Sequence, residues 1–403
     1  MTINKIGSLN IVKKLFGDKE VIKEVINGNV IYEKTTGAPI YGVSGLTNSS
    51  TSLTRTDDSI DKTYSVNTTT GVINSDFDSV FPWNEITVDE VSTNDPDNKA
   101  KMVKFPDMWF RVGTDSYGIS DVAVSKRRGD VGDWYKVDGF YYGCYGAQKY
   151  TVNGVTMLKS KTGNLRSMNS GNNNFSRGDY RTYARNTGTG FFQLDLYHQA
   201  VLRFLWLIEF AEKNDRAIGS GVYVGVSGAS SAVTSGSTDF LDNYNAQSGY
   251  DPSTKQMRWH YIEDFVGNAF EFVDGFYYSN GLYATANPDN FSDNATGKNA
   301  LSYSYAYSTY VNYPVLVSLG WDSNNPFLVF PNRVANDSSY STYFAVSHAC
   351  RTSPNFENAR LGRSYYNSAS SSNGVFWYDK TNAGQPVSAY GSTGARLLYK
   401  PTN

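Results

Sequence analysis

Three carboxylates that lie close together in the sequence are the residues best suited to acid–base chemistry. Glu263 and Asp264 are adjacent, and Glu271 follows them after a Gly-Asn turn. Such a group can supply a general acid and a general base, or ligate calcium. Acidic residues that flank a turn more often cap it or form salt bridges, and sequence spacing does not give the carboxylate separation that glycoside hydrolysis requires. A surface-polysaccharide hydrolase that uses these three residues is therefore the alternative function.

Other residue types that carry catalysis occur without the patterns that catalysis needs. The histidines His198, His260 and His348 do not pair with each other at metal-ligand spacing, and Cys144 and Cys350 lie far apart. The chain contains no HExxH, GxSxG or GxxxxGKS/T motif. We therefore predict a protein that is not an enzyme and has no cofactor; no residues are assigned as metal ligands, and calcium binding stays open.

Charge and hydropathy argue against two classes of partner. The chain has 36 Lys and Arg residues against 38 Asp and Glu residues, so no net field favours nucleic acid. No apolar run approaches the roughly 20 residues that span a bilayer, so we expect no membrane insertion. Met1 is followed by polar residues without the apolar stretch of a secretory signal. This indicates synthesis in the cytoplasm, and any display outside a cell would then require assembly into a particle.

Tyrosine is unusually frequent in this chain. It contains 31 Tyr residues beside abundant Gly, Ser and Asn, while only 18% of its residues are charged. Tyr covers a large area at a low cost in side-chain entropy, and Ser, Gly and Asn supply adaptable hydrogen bonds, as in antibody paratopes. A loop-rich β protein without a binding role would have a similar composition. Composition alone leaves both interpretations open.

The first part of the chain has the pattern of short β-strands. Apolar runs over residues 3–34 surround the pair Asn27-Gly28, which is a strong hairpin signal. Residues 1–36 are therefore predicted to form a small β module, which is too small for much of a core and is expected to pack on a partner. Residues 37–79 are rich in Ser and Thr and are predicted to be a β extension or a linker.

Beyond residue 100 the pattern changes to strands around one helix. Strands are predicted over residues 102–106 and 108–112, and a helix is predicted from the N-cap residue Asp195 to about Lys213-Asn214. Apolar side chains recur at intervals of three and four along this helix, which predicts one buried stripe. The stripe consists of Leu194, Tyr197, Val201, Leu205 and Ile208.

Three separated segments resemble the formylglycine-generating-enzyme type of C-type-lectin-like domain. Residues 102–106 resemble the opening strand of that family, residues 266–273 resemble its GNVWEW segment with Phe in place of both Trp residues, and residues 394–398 resemble its closing strand. The helix of the family also falls where the sequence predicts one. The resemblance implies an α+β fold, with a C-type-lectin-like domain over residues 80–403 preceded by small β modules.

Within that family, the chain looks closest to tail-fibre-type receptor-binding proteins of phages and prophages whose C-terminal region is diversified by retroelements. The matching segments are residues 52–58 (SLTRTDD), 81–83 (FPW), 105–106 (FP), 181–186 (RTYARN) and 205–211 (LWLIEFA). This resemblance implies a place in the virion, at the tail fibre or tail tip, after synthesis in the host cytoplasm. It also implies attachment to phage tail or fibre proteins through the N-terminal module, and a homotrimer.

The catalytic function of the enzymes in that family does not transfer to this chain. Those enzymes use cysteines close to the closing strand, whereas Cys350 lies well before Gly394 and Cys144 lies before the helix. A fold without this thiol chemistry implies binding. An enzyme of the same fold that uses the carboxylates of Glu263, Asp264 and Glu271 stays the alternative.

The C-terminal segment of about residues 345–392 contains the residue types that retroelement diversification yields. Residues 360–362, 374–376 and 396–398 look like a fixed scaffold between variable positions. Several of the remaining residues are large and amphipathic, as in the hot spots of interfaces. The residues predicted to contact a ligand are Ser347, His348, Cys350, Arg351, Asn355, Phe356, Tyr365, Tyr366, Asn367, Ser368 and Tyr378.

These features together predict an adhesin that recognises a host cell-surface protein or glycan through residues 345–392. Two interpretations without ligand binding stay open. The segment would then be an ordinary Ser- and Asn-rich surface above packed Tyr and Phe residues, or the chain would be a purely structural component of a fibre.

Overall fold

A computed structural model describes much of the chain in detail. The described residues are 2–6, 9–16, 19–26, 29–67, 71–163, 176–214, 217–218, 235–241, 248–250, 256–266, 270–279, 281–302, 315–335, 344, 355–356, 358–361, 378–381 and 393–401. The description is limited to the backbone for residues 2–36, 248–250, 270, 278–279, 315, 334–335, 355–361, 378–381 and 393.

The N-terminal residues form a four-stranded antiparallel meander. Its strands follow one another in the sheet in chain order, and they are β1 (Thr2–Ile6), β2 (Leu9–Phe16), β3 (Lys19–Ile26) and β4 (Asn29–Thr36). Ile26 pairs with Asn29, so β3 and β4 are joined through the Asn27-Gly28 pair. The predicted hairpin is therefore confirmed.

The next part of the chain consists of short strands with two 3-10 turns at Asp76–Ser79 and Trp83–Glu85. The patterns predicted from residues 102 and 108 are confirmed as β10 and β11. The strands are β5 (Ile40–Ser44), β6 (Thr54–Asp57), β7 (Tyr64–Val66), β8 (Val72–Ser75), β9 (Thr87–Val91), β10 (Ala100–Phe105), β11 (Met108–Asp115), β12 (Gly118–Ser125), β13 (Trp134–Val137), β14 (Phe140–Gly143), β15 (Gln148–Val152) and β16 (Val155–Lys159).

Two α-helices follow in the described part of the chain, α1 (Arg177–Thr187) and α2 (Leu196–Phe210), with the strand β17 (Phe191–Gln193) between them. Later 3-10 turns lie at Asp239–Leu241 and Pro288–Asn290. The remaining strands are β18 (Ser248–Tyr250), β19 (Met257–Trp259), β20 (Ile262–Glu263), β21 (Phe270–Val273), β22 (Phe276–Ser279), β23 (Leu282–Ala284), β24 (Asn299–Ala300), β25 (Val315–Leu319), β26 (Pro331–Ala335), β27 (Asn355–Phe356), β28 (Asn358–Leu361), β29 (Tyr378–Thr381), β30 (Thr393–Gly394) and β31 (Leu397–Tyr399).

These strands pair into several small sheets around one large hydrophobic core, so the fold is α+β. The closing strand β31 lies inside a sheet, between β17 and β14, instead of at an edge. The sheets after the meander have the orders β17-β31-β14-β10-β9, β13-β11-β12-β5-β6, β20-β19-β18-β8-β7, β29-β28-β21-β30, β24-β23-β22-β27, β15-β16 and β25-β26.

The segment predicted as a β extension or linker contributes to this core. Strand β5 pairs with β12, so that Tyr41 faces Val124 and Val43 faces Val122 across the two strands. The side chains of Tyr41 and Val43 are buried in the same cluster as those of the later strands. Residues 40–67 and 71–79 therefore belong to the main folded body, because most of their apolar side chains, with the exception of Ile60, pack in or against the core. Ser and Thr richness hid this pattern.

Helix α2 begins where it was predicted and ends earlier. Asp195 caps its first turn, with Oδ1 accepting a hydrogen bond from the backbone N–H of His198 over 2.8 Å. The helix ends at Phe210 instead of Lys213, because Ala211 adopts a left-handed conformation with φ of 48°. The carbonyl of Ala211 then accepts from the backbone N–H of Leu53, which ties the end of the helix to the start of the chain's main body.

Helix α2 is buried over more of its surface than the predicted stripe of apolar residues indicates. Every residue from Leu196 to Phe210 except Tyr197 is buried. Strands β5 and β12 cover the helix on one side, and the Trp206 ring packs against Trp259 on another. A helix that is enclosed on all sides needs partners for its polar side chains, so buried residues such as Arg203 and Glu209 are part of its packing.

Helix α1 was not predicted. Its N-terminus carries a capping box, in which Ser176 Oγ accepts from the Asp179 backbone N–H and Asp179 Oδ2 accepts from the Ser176 backbone N–H. The sequence of this helix lacks an apolar stripe because two of its buried residues, Arg177 and Arg181, are charged. None of the helices in the described ranges is long and apolar enough to cross a bilayer.

Candidate functional site

Arg396 lies in the closing segment and is the centre of a buried polar cluster. Its Nε donates a hydrogen bond to Glu271 Oε1 over 2.8 Å. Its Nη1 donates to the carbonyl oxygens of Gly143 and Cys144, and its Nη2 donates to the carbonyl oxygen of Glu263. Arg396 is 0% exposed, so this cluster holds a fully buried charge through specific partners.

Strand pairing explains how two distant motifs meet at this cluster. Strand β21 pairs in parallel with β30, which places Glu271 beside Gly394. Arg396 follows two residues later and reaches back to the Glu271 carboxylate. Two of the three segments that carry the family resemblance, residues 266–273 and 394–398, are therefore joined by one ion pair.

All three carboxylates proposed for the alternative function are buried. Glu263 is 1% exposed, Asp264 3% and Glu271 1%. Glu263 Oε2 accepts from the backbone N–H and the hydroxyl of Thr238, and both Glu263 oxygens accept from the backbone N–H of Gly236. The Asp264 carboxylate accepts from Gln256 Nε2 over 3.1 Å and 3.2 Å. Each of the three residues is thus an internal hydrogen-bond acceptor with its own donor, which for Glu271 is Arg396.

Burial also changes the protonation of this group. Desolvation and the nearby charge of Asp264 raise the pKa of Glu263 to about 7, although the hydrogen bonds from Thr238 and Gly236 oppose that shift. A carboxyl group with such a pKa would suit a general acid if it faced a substrate. Glu263 instead faces the backbone of residues 236–238, so its position favours a structural role.

A second ionic network, in which Arg177, Arg181 and Asp274 are buried and Asp293 is exposed, was not predicted from the sequence. Arg181 donates from Nε and Nη2 to the Asp274 carboxylate and from Nη1 and Nη2 to Asp293. Arg177 donates to Asp293 from Nε and Nη2. Burial alone would raise the pKa of Asp293, but the hydrogen bond from Arg181 and the charge of Arg177 outweigh it and lower the pKa below its usual range. Closely spaced Arg residues in a polar helix were the signal that could have indicated this network.

A third group combines residue types that can ligate a metal. Asp78, Glu209 and His260 offer ligand-type atoms within 4.8 Å of one another. Glu209 Oε2 lies 2.9 Å from His260 Nε2 and accepts a hydrogen bond from Trp259 Nε1 over 2.8 Å. These contacts give the buried Glu209 carboxylate two partners without an ion. The sequence indicates no partner for His260, because Glu209 lies on a different element.

Most of the predicted contact residues lie outside the described residues. These are Ser347, His348, Cys350, Arg351, Tyr365, Tyr366, Asn367 and Ser368. The backbone is described for Asn355 and Phe356, which form β27, and for Tyr378, which begins β29.

The described parts of the C-terminal segment are anchored on the scaffold by strand pairing. Strand β27 pairs with β22, and β28 pairs with β21, so that Leu361 lies beside Glu271. Tyr378 in β29 pairs with Leu361, so the two described residues that flank the segment 362–377 lie side by side. Beneath this sheet, the buried Phe272 ring lies 5.9 Å from the ring of Tyr180 in α1.

Cys144 is predicted to be chemically inert in the folded protein. Its thiol is fully buried, and this burial raises the pKa to about 12, so almost no reactive thiolate forms near neutral pH. Treatment of the native protein with iodoacetamide at pH 8 should leave Cys144 unmodified, as measured by peptide mass spectrometry. The same treatment in 8 M urea should modify it fully. Complete alkylation of Cys144 in the native protein would contradict the buried placement.

Neither a protein-family model nor a curated protein matches this chain significantly.

Proposed function

We propose that the chain is a phage or prophage receptor-binding protein that recognises a host cell-surface protein or glycan. Residues 345–392 would form the exchangeable recognition surface, on a scaffold of the C-type-lectin-like, formylglycine-generating-enzyme subtype. The resemblance of the sequence to such proteins and the Tyr-, Ser- and Asn-rich composition of the segment support this proposal.

The pairing of the strands that flank the C-terminal segments is the strongest structural support for the proposal. Residues 362–377, which include Tyr365, Tyr366, Asn367 and Ser368, connect two residues that pair directly, Leu361 and Tyr378. Residues 382–392 similarly run between β29 and β30, which belong to the same sheet. Segments whose ends are fixed on a rigid sheet are the usual location of binding residues, because substitutions there leave the core unchanged.

The scaffold beneath these segments is suited to tolerate variation. Strand β21 lies between β28 and β30, and its Glu271 is held by Arg396 in the interior. This ion pair involves no residue of 362–377 or 382–392. Fixed ends would also lower the ordering cost of binding.

The proposed function also requires that the chain be assembled into the virion. The meander β1–β4 would attach the chain to phage tail or fibre proteins, at the tail fibre or tail tip of the virion. A homotrimer and many copies per particle would raise the avidity of individually modest contacts.

Substitution of Phe356, Tyr365 and Tyr366 by Ala together should abolish adsorption of the particle to its host cells. Large aromatic residues usually dominate the binding energy of an interface, so their loss should reduce attachment by at least about tenfold. Adsorption is measured as the fraction of particles bound to cells, and the fold is checked by thermal unfolding of the purified variant.

The matched control replaces two exposed apolar residues of the main body, Ile60 and Phe240, by Ala. This variant should adsorb like the wild type. Unchanged adsorption of the triple variant, with normal thermal unfolding, would refute the proposed contact surface. The diversification itself has a separate test in the neighbouring DNA, where a near-duplicate of the coding segment for residues 345–392 is expected beside a reverse transcriptase gene.

A further inference from the structure

A polar groove lies on the main body, built from residues other than the C-terminal segment. Its walls come from the end of the β11–β12 hairpin, the start of β13 and the connection between β25 and β26. The groove has a volume of about 460 Å³, within the range typical of small-molecule sites. Its lining includes Asp115, Ser116, Asp133, Tyr135, Trp321 and Asn324.

The two hairpins that form the groove are locked together. A Cβ atom at Gly118 would lie 2.2 Å from the carbonyl oxygen of Leu319, so only glycine allows this backbone approach. The carbonyl oxygen of Tyr117 accepts hydrogen bonds from Ser318 Oγ over 2.7 Å and from Asn332 Nδ2 over 2.8 Å. The groove is therefore preformed, which lowers the entropic cost of binding a ligand.

An aromatic pair supplies apolar surface in this otherwise polar groove. The rings of Tyr135 and Trp321 meet edge to face, with centroids 5.3 Å apart, and both are partly buried. Phe327 packs against both rings, at 6.5 Å and 5.6 Å, and so fixes them on the core. Ring faces held in this way can pack against the C–H face of a pyranose.

The polar lining is rich in hydrogen-bond acceptors. Asp322 is buried and accepts from the backbone N–H groups of Ser302 and Asn324, which shapes the connection. Asp133 is exposed, and it forms no hydrogen bond or ion pair with another of the described residues. Its carboxylate can accept two hydrogen bonds from vicinal hydroxyl groups, and hydrogen bonds to an ionised acceptor are strong.

The charge of the residues that line the groove argues against an anionic ligand. Asp115, Asp133 and Asp322 line the groove, and neither Lys nor Arg is found among its lining residues, all of which belong to the described part. An anionic ligand, such as a sialylated or phosphorylated glycan, would meet uncompensated negative charge. Hydroxyl groups without charge fit both the acceptors and the aromatic rings.

We propose that this groove binds a neutral saccharide and is a second recognition site, formed by residues outside the segment 345–392. The inference does not depend on the proposed function of the C-terminal segment. Such a site would give the chain affinity for a surface sugar, whatever ligand the C-terminal segment binds.

Saturation-transfer NMR on the full chain tests this proposal. The probes are the methyl glycosides of glucose, galactose, mannose and N-acetylglucosamine, in EDTA. We expect at least one glycoside to bind with a Kd on the order of 1 mM. Asp133→Ala should weaken its binding about tenfold, because a charge-assisted hydrogen bond is lost. Ser323→Tyr, at an exposed position of the lining, should block binding sterically.

Two controls make the outcome decisive. Asp61→Ala removes the same charge at a distant side chain that is 81% exposed, and should bind like the wild type. The triple variant of Phe356, Tyr365 and Tyr366 should also keep its saccharide binding, which separates this site from the proposed receptor surface. Absence of binding by every glycoside, or binding that survives both Asp133→Ala and Ser323→Tyr, would overturn the proposal. Binding of Ca²⁺ alone, with no glycoside bound in EDTA, would overturn it in favour of a cation site.

Discussion

Replacement of Arg396 by Met is expected to lower the free energy of unfolding by about 3–5 kcal/mol, the usual cost of removing one partner of a buried ion pair. Met has a similar length but offers no donors. The buried Glu271 carboxylate would lose its bond from Arg396 Nε, and the carbonyl oxygens of Gly143, Cys144 and Glu263 would lose theirs. Urea unfolding followed by tryptophan fluorescence measures the loss.

Two further variants test the reason for that loss. Arg128→Met removes an exposed guanidinium and should change the free energy of unfolding by less than about 0.5 kcal/mol. The double variant Arg396→Met with Glu271→Met removes both charges and should be more stable than Arg396→Met alone, since no unpaired charge is left buried. A double variant that is less stable than the single one would contradict an unpaired buried charge as the cause of the loss.

Local sequence patterns were sufficient to predict elements whose apolar side chains alternate along a strand or recur at helical spacing. Strand β11 buries Met108, Phe110 and Val112 and leaves the residues between them partly exposed, and α2 has apolar residues at helical spacing. The end of α2 could not be predicted, because it depends on a left-handed residue, Ala211, whose carbonyl bonds to Leu53, a residue far away in the sequence. Helix α1 was missed for a related reason, since ion pairs with Asp274 and Asp293 replace an apolar face.

The candidate sites, like the end of α2, could not be predicted from local sequence patterns. Residues 266–273 and 394–398 were recognised as motifs, but the ion pair between Glu271 and Arg396 depends on parallel strand pairing over a long sequence separation. The groove is assembled from Tyr135 and Trp321, and neither residue has a local signature of binding. Propensity and spacing act over a few residues, whereas both sites are set by packing of distant elements.

Asp274 offers the second large test, because it joins the strand β21 to helix α1. Its carboxylate is 0% exposed and accepts from Nε and Nη2 of Arg181 and from the backbone N–H of Gly275. In Asp274→Asn, the side-chain amide would turn its own donors towards those of Arg181, and the buried guanidinium would lose a charge partner. We expect the free energy of unfolding to fall by about 2–4 kcal/mol.

The loss should stay near the lower end of that range if Asp293 compensates. Arg181 keeps its hydrogen bonds to Asp293. The Asp293 side chain is 43% exposed, so water near it can partly replace the hydrogen bonds that Arg181 loses. The control Asp61→Asn makes the same change at an exposed position and should alter stability by less than about 0.5 kcal/mol. Urea unfolding of both variants gives the comparison. Equal stabilities would contradict a supporting role for Asp274. A selective loss in Asp274→Asn would show that buried ion pairs hold β21, the strand on which the C-terminal segment is anchored.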